Sequence, residues 1–125
     1  MRLRDEGGQA TVELALCLPL LALVCAGLVE ASLLALDQVR VWHGAREAAR
    51  VAAVEPDPAA ARDAAGRSGL EGLDVSVTPA SQERAPGRPA TVSLAYRYDG
   101  RIPIVGAAFE AIVLRAEATT RIERP

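Results

Sequence analysis

A carboxylate stands where this chain turns apolar. Glu13 directly precedes Leu14–Leu36, 23 residues in which the one charge is Glu30. An acid carried into lipid costs roughly 2.5–3.5 kcal/mol at the bilayer centre and less near its surface, and it is tolerated best beside a cation. The chemistry Glu13 calls for is therefore charge pairing at a membrane boundary. A glycine pair, Gly7-Gly8, stands just ahead of it, behind a short charged leader, Met1–Glu6. The other reactive side chains offer less. His43 is the single histidine and falls on a charged helix face, where a solvated imidazole is the simplest reading. Cys17 and Cys25 are eight residues apart, about 12 Å along a helix, too far for a mutual disulfide. They read as small apolar fillers. The sequence has no Cys/His cluster with metal-ligand spacing, no Gly-rich phosphate loop and no acid pair that can be placed in a cleft. These features imply a non-enzyme with no cofactor, no metal and no small-molecule substrate.

The element that must position Glu13 is the run behind it. A helix over Leu14–Leu36 spans about 35 Å, enough for a hydrocarbon core of about 30 Å. Only a helix satisfies its own backbone there, so residues 9–36 are expected to form a single transmembrane helix. Pro19 lies inside it, where a proline removes one hydrogen bond. Gly27 and Ala31 form a small-xxx-small pair that allows close helix approach. Glu30, near the far end, is expected to reach the outer surface.

No helix breaker stands between Leu36 and Val54, so the helix is expected to continue to about residue 54. Val41, Trp42, Ala45, Ala48, Ala49, Ala52 and Ala53 gather on one face at helical spacing, opposite Arg40, His43, Arg46, Glu47 and Arg50. Trp42 fits either a membrane-interface anchor or the largest contact beneath a sheet. Pro56 and Pro58 stop the helix, and Asp57 can cap a second one over 58–67. Strands are expected near 74–78, 91–98 and 112–123. Val92, Leu94, Tyr96 and Tyr98 share a face. Ile112, Leu114, Ala116, Ala118, Thr120 and Ile122 share another, with Arg and Glu opposite. One half-buried face and one wet face fit an antiparallel sheet. The fold class is α+β, with the outer half of a long helix against a small sheet of three or four strands. A net charge of −2 and 3% aromatic residues argue against a nucleic-acid surface. About 90 residues beyond the spanning helix support a modest core.

The string GGQATVELALCLPLLAL resembles the start of the TadE-like minor pseudopilins of the tight-adherence (Tad/Flp) pilus assembly system. Gly27-Leu28-Val29-Glu30 resembles that family's Gly-x-x-Glu step, although Ala31 stands where the family usually has Phe. The stretches His43–Arg50 and Ala118–Glu123 are similar to its helix end and closing strand. The resemblance implies a pilin-like fold and a structural role in a pilus or related secretion apparatus. It implies a leader of residues 1–8, cut by a prepilin peptidase between Gly8 and Gln9. Glu13 is then the fifth residue of the mature chain, and Gln9 gains an α-ammonium that a neighbouring subunit can offer to Glu13. Major Flp pilins are much shorter than the 117 residues that follow Gly8. The implied partners are membrane lipid, the peptidase, other pilins and the Tad inner-membrane platform.

Two alternatives are open to test. A secretory signal peptide explains Arg2 and Arg4, but not Glu13 or an apolar run of 23 residues. A single-pass protein whose outer domain binds a partner without entering a filament explains the anchor equally well. Arg2 and Arg4 favour a cytoplasmic N-terminus, whereas Arg40, Arg46 and Arg50 on the other flank weaken that rule. The pseudopilin resemblance requires the N-terminus inside and residues 37–125 outside.

Overall fold

The computed structural model describes residues 6–123, with side-chain environments from residue 8. The leader positions Met1–Asp5, Arg2 and Arg4 among them, lie outside that range. One helix, α1 (Glu6–Val54), runs 49 residues, about 70 Å. Its apolar first half leaves the rest of the molecule behind. From Val12 to Val24 its large side chains are all exposed, Leu16 at 74% and Leu20 at 64%. It is the one helix among the described residues long and apolar enough to cross a membrane. Pro19 is accommodated inside it.

The second half of α1 carries the head. Asp57 caps α2 (Pro58–Gly66), its Oδ1 accepting from the Ala59 N–H at 2.9 Å. Three strands follow: β1 (Asp74–Thr78), β2 (Pro89–Arg97) and β3 (Val113–Arg121). They form an antiparallel sheet in the order β1-β2-β3. The register aligns the apolar alternation across the strands. Val75 faces Leu94, which faces Ala116; Val77 faces Val92, which faces Ala118. Pro89 opens the central strand, the one position where its missing N–H costs little.

This face packs on a stripe of α1, Val41, Ala45, Ala48, Ala49 and Ala52, and on Ala61, Ala64 and Ala65 of α2. Alanine and glycine allow close approach. A Cβ on Gly44 would meet the Ala65 carbonyl, Leu94 Cδ1 and Ser68 Cβ, each at 3.3 Å. With so many small residues, each large one matters. Truncating the buried Leu94 to Ala should cost about 2–5 kcal/mol.

The structure corrects several expectations. Trp42 does not lie beneath the sheet: it is 52% exposed, with the Arg46 guanidinium 4.4 Å from its ring centroid. It sits one residue off the centre of the buried stripe, and the arginine one turn on covers its ring instead. Ile112 is 36% exposed and precedes β3 rather than joining its inner face. Tyr96, expected on the same face as Val92, Leu94 and Tyr98, is only partly buried, as are Val75 and Val77 of the neighbouring strand.

Candidate functional site

Two acids are among the largest fully buried side chains, Glu30 and Asp37, both on α1 and both 0% exposed. Seven residues is nearly two helical turns, so both side chains lie on one face from positions about 10 Å apart along the axis. The segment that follows β2 comes down on that face. At Glu30, Oε1 accepts from the Tyr98 hydroxyl at 2.7 Å and from the Arg101 N–H at 2.9 Å. Its Oε2 accepts from the Ile102 N–H at 2.8 Å. At Asp37, Oδ2 accepts from Arg101 Nη2 at 2.6 Å and Oδ1 from Arg40 Nη1 at 3.2 Å. One residue, Arg101, thus joins both acids, by its backbone to Glu30 and by its side chain to Asp37.

The loop is shaped for this contact. Tyr98 N–H donates to the Ile112 carbonyl at 3.0 Å, closing the base of the loop. Gly106 N–H donates to the Ile102 carbonyl at 2.7 Å. The backbone of Gly106 then passes so close to Gly100 that any Cβ at Gly100 would collide with it. Glycine at position 100 is what permits this close approach, and a side chain there would push apart the backbone that presents the Arg101 and Ile102 N–H groups to Glu30.

The electrostatics fit a latch. Burial, reinforced by the bond to Glu30, pushes the Tyr98 hydroxyl up to about 12, so it remains a donor at every physiological pH. The hydrogen bond to Asp37 raises Arg101 further above its ordinary value. Both oxygens of each carboxylate have donors, as buried charge requires. Fully bonded and closed off, the acids hold the head at a fixed height on α1.

Apart from Glu30, the residues singled out in the sequence fall elsewhere on α1. Gly8 and Gln9 lie in its first turns, and the Gln9 side-chain amide donates to Glu13 Oε1 at 3.0 Å. Glu13 is exposed and distant from the latch. A Cβ added at Gly27 would meet nothing within 4 Å, and Ala31 is exposed, so both leave space on the helix surface. Glu30 departs from expectation. It neither reaches a solvated surface nor faces another helix, because the loop supplies three donors that outcompete water. Sequence reasoning missed Asp37, Arg101 and Ile102. The available signal was the seven-residue spacing of two acids on one helix face, together with an arginine after Asp99-Gly100.

Among the described residues no group of three or more His, Cys, Asp or Glu is placed to hold a metal. A family model described as TadE-like protein matches residues 8–50, which is α1 from Gly8 to Arg50. The matched stretch holds Glu13, Glu30 and Asp37, whereas the loop and sheet lie beyond it. No curated protein and no solved structure matches the chain.

Proposed function

We propose that this chain, TadE-like over residues 8–50, is a structural minor pseudopilin of a Tad/Flp-type pilus or a related secretion apparatus. The observation that carries the reading is the first half of α1. A helix with apolar side chains exposed all round from Val12 to Val24 needs lipid, neighbouring helices or both. A pilus subunit uses both in turn, lipid before assembly and helix packing afterwards. The TadE-like match and the single apolar N-terminal helix fit a Tad pilus component anchored by one span.

In this account the peptidase cuts between Gly8 and Gln9 on the cytoplasmic side, and the head lies outside. The new Gln9 ammonium of one subunit then pairs with Glu13 of the next, fixing their axial register. Pro19, Gly27 and Ala31 shape the surface along which the helices pack. The partners are the peptidase, other pilins and the inner-membrane platform. The Glu30–Asp37 latch transmits the register of the helices to the head, because it leaves the head no freedom to slide on α1.

A second reading has an observation of its own. Glu13 already accepts a hydrogen bond from Gln9 of the same chain. An anchor with no filament needs no more than that, so a single-pass protein that binds a partner through its head is the competing account. The mature N-terminus separates the two. Mass spectrometry of the protein extracted from cells with the peptidase should give Gln9 as the first residue, and Gly8→Arg should block the cut. An intact Met1 would favour the lone anchor.

A further inference from the structure

We propose that the loop following the latch, Ile102–Phe109, is a lipid-contacting element. It inserts at the head-side boundary of the bilayer, alongside α1. The proposal rests on the reading of α1 as a membrane anchor and adds to it a second point of contact.

Height along the helix is the first ground. The Glu30 Oε2 bond to the Ile102 N–H fixes the loop at the level of residue 30. From Leu14 to Glu30 the helix rises about 24 Å, less than a hydrocarbon core of about 30 Å. A tilt of about 20° shortens that rise further. A bilayer that begins at Leu14 therefore extends beyond the level of Glu30 and meets the loop.

Composition and exposure are the second. Ile102-Pro103-Ile104-Val105-Gly106-Ala107-Ala108-Phe109 carries no charge, and Arg101 and Glu110 bound it. Ile104 is 87% exposed, the highest value among the large apolar side chains of the described residues. Its φ of 72° is in the left-handed region, which a β-branched residue rarely occupies. The fold thus holds a bulky apolar side chain outward in a conformation it does not favour. Water gives nothing in return for that; an acyl chain gives apolar contact.

Backbone satisfaction is the third. Irregular backbone is tolerated at membrane depth only where its polar groups have partners. The N–H groups of Ile102, Val105, Gly106, Ala108 and Phe109 donate within the protein and Pro103 has none to satisfy, which leaves those of Ile104 and Ala107 to the headgroup oxygens and water of the bilayer boundary.

The test uses the full chain carrying Trp42→Phe, in vesicles of phosphatidylcholine and phosphatidylglycerol, with or without a lipid bearing a nitroxide high on its acyl chain. Tryptophan is placed by Ile104→Trp, by Ala108→Trp as a second loop probe, and by Leu20→Trp in the helix, with circular dichroism to check each fold. The loop probes should emit in the blue and be quenched by the nitroxide, as a side chain buried at the headgroup/acyl boundary would be. Unquenched, water-like emission from both loop probes, with Leu20→Trp quenched, overturns the loop and leaves the anchor standing. Blue but unquenched loop emission means that protein, the same chain or a second copy, covers the loop, and it also overturns the proposal. An unquenched Leu20→Trp removes the anchor reading as well.

Discussion

The Tyr98 hydroxyl donates to the Glu30 carboxylate at 2.7 Å across 68 residues of chain. That bond ties the end of β2 to the middle of α1 and makes the head and the helix one mechanical unit. A subunit built this way cannot shift its helix without moving its head, which matters if the helices set the register of an assembly.

The latch should therefore be measurable as stability. Tyr98→Phe deletes one donor to a buried carboxylate and should cost about 1.5–3 kcal/mol. Glu30→Gln should cost more, because its amide NH2 would face the N–H of Arg101 or Ile102, donor against donor. Thermal melting of the full chain in detergent should rank wild type above Tyr98→Phe, and Tyr98→Phe above Glu30→Gln. Equal melting of wild type and Glu30→Gln would mean that the head does not depend on this contact.

Arg101 contributes by a separate route. Its side chain is 38% exposed while Asp37 is fully buried, so the pair lies between a surface and an interior ion pair. Arg101→Ala should cost about 1–3 kcal/mol, mostly from leaving Asp37 with Arg40 alone. Combined with Asp37→Asn in a double-mutant cycle, the losses should be less than additive. Strict additivity would show that the two side chains do not interact.

The pH dependence follows from Tyr98. Its folded value of about 12 lies above the ordinary 10 of an unfolded tyrosine. The folded state therefore binds the phenolic proton more tightly. The stability this gives is complete below pH 10 and is lost as the pH rises from about 10 to about 12. In a Tyr96→Phe variant, where Tyr98 is the remaining tyrosine, phenolate absorbance should appear above the normal range and together with loss of the fold. Titration near 10 with the fold intact would contradict the buried bond to Glu30.

Much of this architecture is legible in the sequence, for identifiable reasons. The apolar run and the absence of breakers up to Val54 specify α1, and strict alternation specifies the inner face of β2. The latch is legible only in part. Two of its donors to Glu30 are backbone N–H groups, which every residue but proline possesses, so Arg101 and Ile102 leave no distinguishing mark there. In sequence Glu30 reads as a membrane-end acid, because its burial depends on a loop more than 60 residues away. Trp42 shows the other limit. Helical spacing places it at the margin of the buried stripe, and the alanines beside it left the sheet too close to admit an indole.

Assembly through Glu13 is the central claim, and crosslinking in a strain that carries the whole apparatus tests it most directly. Subunits bearing Glu13→Ala or Glu13→Gln should insert and fold normally, yet be recovered with the other pilins far less often than wild type. Glu13→Asp should retain part of that recovery, and Glu13→Lys should retain none, since it sets like charge against the incoming Gln9 ammonium. Recovery of Glu13→Ala at the wild-type level would contradict the account and leave the chain as an anchored protein outside the filament.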